Sequence, residues 1–329
     1  MSTTTTGCLD VRGLDVTLRS GAGRDLHLVR DVTFSVGSGE RFGLIGESGC
    51  GKTTTLMALM GLLGADATVG GEVRIDGTEI LGSGERDVRR RRWSEIAVVF
   101  QGAMNSLNPV VTIGRQIGEA ARRGAGSGAG VRERVHSVLE LVGLRTEVAR
   151  RYPHELSGGM RQRVAIAMAV VCEPRVLLAD EPTTALDVIV QAQVLTALEN
   201  ACAETGAALV LVSHDMGVIG EVCDRAAVMY GGQIVETGRI GTLLHEPAHP
   251  YTRLLIDASP RLSDPGRELA SIPGAPPRPG VDQAGCSFAP RCPDRFGPCG
   301  SRGPALLPVA TALQQARCHL HHPPTEEIP

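Results

Sequence analysis

The sequence predicts an α/β fold whose parallel sheet is covered by helices on both faces. A glycine-rich loop at residues 46–53 joins an apolar strand at 42–45 to a helix that follows it. Further along, two apolar runs with β composition, 176–179 and 208–212, are separated by a helical stretch at 188–203. Buried strands that alternate with helices indicate a parallel sheet. We therefore expect ligands to gather beyond the carboxyl ends of its strands.

The remaining elements are justified by local patterns. Alternating apolar residues predict short strands at 9–18 and 28–36, and Val73 and Ile75 continue this pattern after the first helix. The arginines at 89–92 lie in a polar stretch. We interpret them as a solvated helix face, because a nucleic-acid patch would interleave aromatic residues with the basic ones.

Other local patterns predict the middle of the chain and its second half. Residues 96–100 predict an apolar strand, 113–145 predict peripheral helices interrupted by a flexible 124–130, and 228–235 predict a hairpin around two glycines. Sixteen of the 20 prolines lie beyond residue 240, and 272–280 is a proline-rich linker. We therefore place a domain boundary between 240 and 245.

Composition limits the class of protein. The 329 residues exceed one typical domain and are enough to bury a core. A net charge of −3 argues against a nucleic-acid binder or a polybasic membrane binder. The longest apolar run, 164–172, is far shorter than the roughly 20 residues of a membrane span, and residues 1–7 do not resemble a signal peptide. We expect a cytosolic protein that reaches the membrane only through partners.

Residues 46–53 spell Gly-Glu-Ser-Gly-Cys-Gly-Lys-Thr between a strand and a helix, which is the pattern of a phosphate-binding loop. Its glycines let backbone N–H groups turn toward an anion, and the helix N-terminus adds a positive dipole end. We predict that Lys52 reaches the outer phosphates and that the Thr53 hydroxyl ligates Mg²⁺. Cys50 is interpreted as a small residue that fits the loop, with an acidified, redox-sensitive thiol as the alternative. The nucleotide-binding residues predicted here are Gly46, Ser48, Gly49, Cys50, Gly51, Lys52, Thr53 and Thr54.

Two acids follow the buried strand at 176–179. Asp180 is placed to hold Mg²⁺, and Glu181 is placed to polarise an attacking water as general base. An ordinary strand end is the alternative for both. His214 ends the next strand, where a histidine is more often structural. Beside the other parts, we predict that it contacts the γ-phosphate, so the predicted catalytic residues are Glu181 and His214.

A second glycine-rich segment, Ser157-Gly158-Gly159, opens an apolar helix and is a second anion-binding element. A single triphosphate does not need two such elements from the same chain. We therefore predict that this segment reaches across a dimer to the nucleotide of the partner.

In order along residues 9–322, these motifs resemble the ATPase subunit of an ABC transporter. The matching motifs are Walker A at 46–53, the Q-loop at Gln101, the signature at 156–162, the Walker B acids Asp180 and Glu181, the D-loop at 185–187 with Asp187, and the switch histidine His214. The resemblance implies that Gln101 binds nucleotide and ligates Mg²⁺ together with Thr53 and Asp180. It also implies an ABC-type nucleotide-binding domain with a parallel core sheet, an antiparallel β subdomain and a helical subdomain.

Finer phrases at 106–109, 180–193 and 249–252, with the terminal cysteine segment, resemble the dipeptide, oligopeptide and nickel importer branch. That branch implies a second, distinct ATPase subunit, two membrane permeases and an extracytoplasmic solute-binding protein, with this chain at the cytoplasmic face of the membrane. ATP would close the ATPase dimer and hydrolysis would reopen it. The domains expected are a nucleotide-binding domain at 1–242, with its helical subdomain at about 102–172, and a small irregular extension at 243–329.

Four of the nine cysteines cluster near the end of the chain, at Cys286, Cys292, Cys299 and Cys318. In a reducing compartment they suggest a metal site more than disulfides. Four thiolates suit zinc or an iron–sulfur cluster, and their wide spacing favours the cluster. Importers with the same cysteine pattern are associated with a [4Fe–4S] cluster, which the resemblance carries over to these four positions. Zinc and free thiols stay open as alternatives, and His319, His321 and His322, which we interpret as a solvated tail, are alternative ligands.

Two other functions compete with an import ATPase. One is a non-transport ABC ATPase that works on nucleic acid or the ribosome, which usually has two ATPase cores in one chain or a coiled-coil insertion. The other is a redox-regulated binding module with a vestigial ATPase core. The intact set of Lys52, Asp180, Glu181 and His214 counts against the second.

Overall fold

The structure is a computed structural model that describes residues 8–19, 25–81, 85–102, 106–125, 130–259, 271–278, 280, 284–309 and 313–323. Most of the interruption predicted at 124–130 and part of the linker lie outside these residues. The chain divides into two compact units. The first comprises Met1–Asp10, Ser35–Arg41 and Val73–Leu211, and the second comprises Val11–Phe34, Phe42–Glu72 and Val212–Pro329. The domain boundary near residue 242 stays a prediction.

The second unit begins with long strands. β1 (Leu9–Leu18) lies between β2 (Leu26–Val36) and β4 (Ala67–Ile75) in one sheet. Val11, Leu14 and Val16 are fully buried, as the alternating pattern predicted. In the first unit, a short β5 (Thr78–Glu79) pairs antiparallel with Arg74 and Ile75 at the end of β4.

The other sheet of the second unit carries the phosphate loop. β3 (Arg41–Ile45) pairs in parallel with β9 (Arg225–Tyr230), and β9 pairs antiparallel with β10 (Gln233–Arg239), which confirms the predicted hairpin. The sheet continues through β12 (Gln315–Ala316) to β11 (Leu307–Pro308). The helices of this unit are α1 (Lys52–Leu59), α7 (Met216–Val222), α8 (Ile240–His245) and α9 (Pro250–Ala258).

The strands of the first unit are buried apolar runs. β6 (Ile96–Val99) pairs in parallel with β7 (Val176–Asp180), and β8 (Ala208–Ser213) is the next neighbour of β7. Every residue of β7 and β8 is buried, which is typical of strands covered on both faces. α6 (Val188–Thr205) connects these two strands. This part of the α/β prediction is therefore confirmed.

The remaining helices of the first unit are α2 (Glu85–Arg91), α3 (Ile113–Ala125), α4 (Val131–Leu141) and α5 (Gly158–Val170). Apolar residues spaced by three or four positions are buried on α3 and α4, including Ile113 and Ile117 on α3 and Val135 and Leu139 on α4. Arg89 and Arg90 are exposed in the last turn of α2, as expected for a solvated face. No helix within the described ranges is both long and apolar enough to cross a membrane.

Candidate ATP site

The phosphate loop follows β3 and ends where α1 begins. Helix α1 starts after Gly51 with no side-chain cap, and the N-terminus of a helix is the end that binds anions. At Gly46 an added Cβ would lie only 2.2 Å from the Met229 carbonyl oxygen, so this position requires glycine. Lys52 is 5% exposed, and its Nζ donates to the carbonyl oxygens of Gly46 at 2.7 Å and Glu47 at 3.0 Å. The loop is thus folded around its own lysine.

Cys50 lies in the interior of this loop. Burial raises the pKa of its thiol above the ordinary value, and the nearby Lys52 offsets only part of this increase. The alternative of an acidified thiol is therefore wrong, because burial outweighs the lysine charge. Cys50 fits the loop as a small side chain.

In the first unit, the structure brings Gln101 and Glu181 together. Asp180 ends β7 and is 3% exposed, and Glu181 follows it with a φ of 43°, a left-handed conformation that is rare for residues other than glycine. One carboxylate oxygen of Glu181 accepts from Gln101 Nε2 at 3.4 Å and from the Thr184 hydroxyl at 3.0 Å. Two neutral donors therefore orient the proposed general base. The sequence analysis predicts no role for Thr184, although Thr184 lies in the segment 180–193 that resembles the importer branch.

The signature segment and the D-loop also meet in the first unit. Ser157 is exposed and caps α5, where its hydroxyl accepts the Met160 N–H at 3.3 Å. Asp187 is exposed and caps α6 by accepting the Val190 N–H at 2.9 Å. A Cβ on Gly159 would lie 2.1 Å from Val190 Cγ1, so only glycine allows the two helix starts to pack this closely.

Next to Asp187, two apolar side chains are exposed. Val188 is 76% exposed and Ile189 is 73% exposed. Their position at the start of α6 places them on the helix that contacts the signature segment through Val190.

His214 is exposed in the second unit, directly after β8. The backbone on both sides of it is fixed. Asp215 donates its N–H to the Ser213 hydroxyl at 2.9 Å, and its carboxylate accepts the Gly217 N–H at 2.8 Å to cap α7. The imidazole is thus carried on a fixed turn at an exposed position.

Two further residues contact the phosphate loop, and the sequence reasoning missed both. The Tyr251 hydroxyl accepts the Glu47 N–H at 2.9 Å, and Arg291 forms an ion pair with the Glu47 carboxylate at 2.6 Å. Arg291 lies 244 positions away from Glu47 along the chain, so no local pattern could have linked them.

All four terminal cysteines line one cavity in the second unit, together with His249 and His319. None of the nine cysteines forms a disulfide bond. Burial raises the pKa of Cys286 and Cys292, and it raises the pKa of Cys318 to about 11. Among the described residues, no group of three or more His, Cys, Asp or Glu side chains is arranged to hold a single metal ion.

The two histidines of this cavity are buried, at 1% exposure for His249 and 5% for His319. His249 Nδ1 accepts the Tyr251 N–H at 3.0 Å, and burial lowers the pKa of His249 to about 3, so the ring is neutral. Within the described part of the chain, His249 Nε2 and His319 Nδ1 are buried without a hydrogen-bond partner. The cavity thus combines four thiols with two unsatisfied ring nitrogens.

The parallel sheet, the phosphate loop and the acids that end β7 define a P-loop ATPase. Comparison with known proteins specifies the family. The ABC transporter family matches residues 29–184, and the C-terminal region of oligopeptide/dipeptide transporters matches residues 235–299. The chain belongs to the ABC transporter family, in its oligopeptide/dipeptide branch, and is an ATP-hydrolysing transporter subunit, as the motifs predicted.

Similar proteins cover nearly the whole chain. It is 40% identical to the oligopeptide transport ATP-binding protein OppD of Salmonella typhimurium, over 97% of this chain and 95% of the relative. It is 42% identical to the dipeptide transport ATP-binding protein DppD of Bacillus subtilis, over 88% of each. The dimeric structure of MJ0796, a bacterial ABC transporter cassette, is 29% identical with a TM-score of 0.62, and the match covers 70% of this chain and 98% of that one. The predicted ABC-type fold is thereby confirmed.

Proposed function

We propose that this chain powers the uptake of peptides, or of a related small solute such as a nickel chelate, by binding and hydrolysing ATP beside a second, distinct ATPase subunit. The names of OppD and DppD support the class of solute. The match of residues 235–299 to the C-terminal region of peptide transporters supports the same branch.

The observation that carries the two-subunit site is the exposed signature segment. Ser157 and Asp187 both cap helices while their side chains stay exposed. The Gly159–Val190 contact joins the two helix starts into one surface. Exposed apolar residues such as Val188 suit burial against a partner chain. A helix N-terminus on such a surface would then bind the γ-phosphate held by the partner.

In the proposed chemistry, different residues bind the phosphates, ligate the metal and take the proton. The phosphate loop and Lys52 bind the phosphates, while Thr53, Asp180 and Gln101 ligate Mg²⁺, which would neutralise the charge that develops on the phosphates. Glu181 takes the proton of the attacking water. The remaining proposed roles are those of Ser157, Gly158 and Gly159 at the partner's ATP, Asp187 in the D-loop, and His214 at the γ-phosphate.

Gln101 and Thr184 give Glu181 its orientation, since both donate to the same carboxylate oxygen. A base held in this way needs little reorganisation when the proton moves.

The proposed partners are the second ATPase subunit, two membrane permeases and an extracytoplasmic solute-binding protein, with no nucleic acid. The chain would lie at the cytoplasmic face of the membrane, attached through the permeases. A non-transport ABC ATPase and a redox-regulated binding module are the competing functions, and the experiments below separate them.

A [4Fe–4S] cluster is proposed at Cys286, Cys292, Cys299 and Cys318. The fit rests on four thiols around one cavity and on the unsatisfied His249 and His319 nitrogens there. A single zinc ion needs all four sulfurs within about 2.3 Å of one point, and a cluster spaces its ligands more widely. Cysteines with raised pKa values would release protons on binding it. When bound, the cluster would join the segments that carry the four cysteines, or it would supply a redox centre.

Metal analysis after anaerobic purification tests this cluster. We expect iron and acid-labile sulfide in the wild type and their loss in Cys299→Ser, with Cys202→Ser as the control because Cys202 lies in α6 and does not line the cavity. If the analysis finds stoichiometric zinc instead, the site holds a structural zinc ion and the cluster proposal is wrong. If the four thiols react as free thiols in the anaerobic protein, the site holds neither a cluster nor a zinc ion.

The proposed transport function is tested by a mild-detergent pull-down of Glu181→Gln in ATP and Mg²⁺, because removing the base should hold the dimer closed. We expect two multi-span permeases and a second ATPase subunit among the recovered proteins. Recovery of ribosomes, nucleic acid or soluble proteins alone would contradict transport and favour the non-transport ATPase. Equal low hydrolysis by the wild type and Glu181→Gln would favour the binding module.

A further inference from the structure

We propose that Arg291 is a positioning residue of the ATP site. It holds the carboxylate of Glu47, the second residue of the phosphate loop, and neutralises its charge. The C-terminal region that carries the terminal cysteines would thereby complete the loop and set its affinity for ATP.

The contact between Arg291 and Glu47 is a bidentate ion pair. Nη1 lies 2.6 Å from one carboxylate oxygen and Nη2 lies 3.1 Å from the other. The Arg291 side chain is 4% exposed and that of Glu47 is 25% exposed. Such charge-assisted, bidentate pairs fix both distance and orientation. The Glu47 bond raises the pKa of Arg291 above its ordinary value, so the guanidinium is always charged.

Other contacts hold Arg291 itself in place. Its Nε donates to the Pro273 carbonyl oxygen at 2.8 Å, and Nη1 donates to the Tyr230 hydroxyl at 3.3 Å. The guanidinium carbon also lies 5.7 Å from the centre of the Tyr230 ring. Arg291 therefore approaches the loop from a fixed direction.

Glu47 is held at its backbone as well. Its N–H donates to the buried Tyr251 hydroxyl at 2.9 Å, and its carbonyl oxygen accepts from Lys52 Nζ at 3.0 Å. The same residue therefore joins three partners: the C-terminal Arg291, Tyr251 of α9, and the lysine expected at the phosphates. A shift of Glu47 would move Lys52, because one bond connects them.

Arg291 belongs to a turn that lies between two of the terminal cysteines in the sequence. Its N–H donates to the Phe288 carbonyl oxygen at 2.9 Å, and this turn lies between Cys286 and Cys292. Phe288 is fully buried, with ring centres 5.1 Å from Tyr230 and 5.3 Å from Tyr251. This aromatic packing fixes the turn against β9 and α9.

Charge gives the pair its importance for ATP. A carboxylate in a phosphate loop repels a triphosphate, and partly buried charges are screened little by salt. Paired with Arg291, Glu47 adds no net negative charge to the loop. Without the arginine, the loop would keep an unpaired carboxylate close to the bound anion.

The test measures the dissociation constant of Mg²⁺–ATP with the purified full-length chain. Arg291→Met should weaken binding about tenfold, a change of about 1.4 kcal/mol. Arg291→Lys should weaken ATP binding about threefold, because an ammonium cannot make the bidentate contact with the carboxylate. The double variant Glu47→Gln/Arg291→Met has no unpaired carboxylate, so it should regain about threefold of the lost affinity, which is the part lost to charge repulsion, and should not regain the part lost with the position of the loop. In assembled transporter the loss should appear in KM for ATP, with kcat nearly unchanged.

Arg317→Met is the matched control. Arg317 is also nearly buried, at 11% exposure, and pairs with Asp31 at 3.1 Å and with the Ile234 carbonyl oxygen at 3.1 Å, outside the loop. It should lower thermal stability and leave ATP affinity unchanged. An Arg291→Met protein that binds ATP as tightly as Arg317→Met, or a double variant that regains nothing, would overturn the proposal.

If Arg291→Met does not fold, Arg291→Lys carries the test with Arg317→Lys as its control: ATP binding about threefold weaker than in the control supports the proposal, and equally tight binding overturns it. The inference rests on ATP binding by the loop, which the wild-type measurement establishes independently. Failure of the wild type to bind ATP would contradict the proposed site rather than the role of Arg291.

Discussion

The phosphate loop and the signature segment are both glycine-rich stretches that open a helix, but the protein holds them differently. In the loop, Lys52 is 5% exposed and Glu47 is bonded through its N–H, its carbonyl oxygen and its carboxylate. In the signature segment, Ser157 is exposed and its hydroxyl caps its own helix. The phosphate loop is held by contacts across the second unit, whereas the signature segment is exposed.

This difference agrees with the proposal that the two segments contribute to ATP hydrolysis from two different subunits. A site that must bind nucleotide in the single chain needs its backbone fixed before the ligand arrives, because ordering it on binding would cost affinity. A segment that acts on a partner's nucleotide needs exposure and one rigid support. The close contact of Gly159 with Val190 supplies that support. Variants on the two sides should therefore fail in different assays.

Lys52→Ala should give the largest effect, because it removes the loop's internal cation. We expect ATP binding by the full-length chain to weaken by about a hundredfold or more and hydrolysis to be lost, since Lys52 both closes the loop and is expected at the phosphates. Isothermal titration and phosphate release measure the two quantities. Retained ATP binding at wild-type affinity would show that the loop does not depend on its lysine.

Ser157→Asp should break the other side of the comparison. Aspartate is as good a helix cap as serine, so α5 should stay intact, while its charge would repel the partner's γ-phosphate. We expect hydrolysis in assembled transporter to fall about a hundredfold and ATP binding to the single chain to stay unchanged. Ser157→Asn, neutral and of the same shape, is the control and should lose much less. Equal loss of binding and hydrolysis would contradict the role across the dimer.

How far the sequence could predict this site follows from the same contrast. The phosphate loop, the buried strand before Asp180 and the hairpin at 228–235 are local patterns, and the structure confirms these elements. Each depends on residues within about one or two turns of chain, where glycine, apolar runs and helix starts leave clear signals.

Long-range contacts left no such signal. β12 is only Gln315–Ala316, a strand without any apolar alternation, and its pairing with β10 depends on where the C-terminal chain packs. Arg291 stands between two cysteines in the sequence, and no local pattern there indicates its bond to Glu47. The raised pKa of Cys50 was equally hidden, because a charge nearby in sequence can be inferred and burial cannot.

Gly159→Ala should give the smallest effect and sharpens the claim that the signature segment has one rigid support. The new methyl would lie 2.1 Å from Val190 Cγ1, so the two helix starts must separate. Overpacking of this kind costs about 1–3 kcal/mol of unfolding free energy, measurable by denaturant titration. Val190→Ala removes the clashing methyl groups, so the double variant Gly159→Ala/Val190→Ala should regain most of that stability. If hydrolysis also recovers in the double variant, the glycine serves close packing; if stability recovers and hydrolysis does not, its backbone acts on the partner's nucleotide directly.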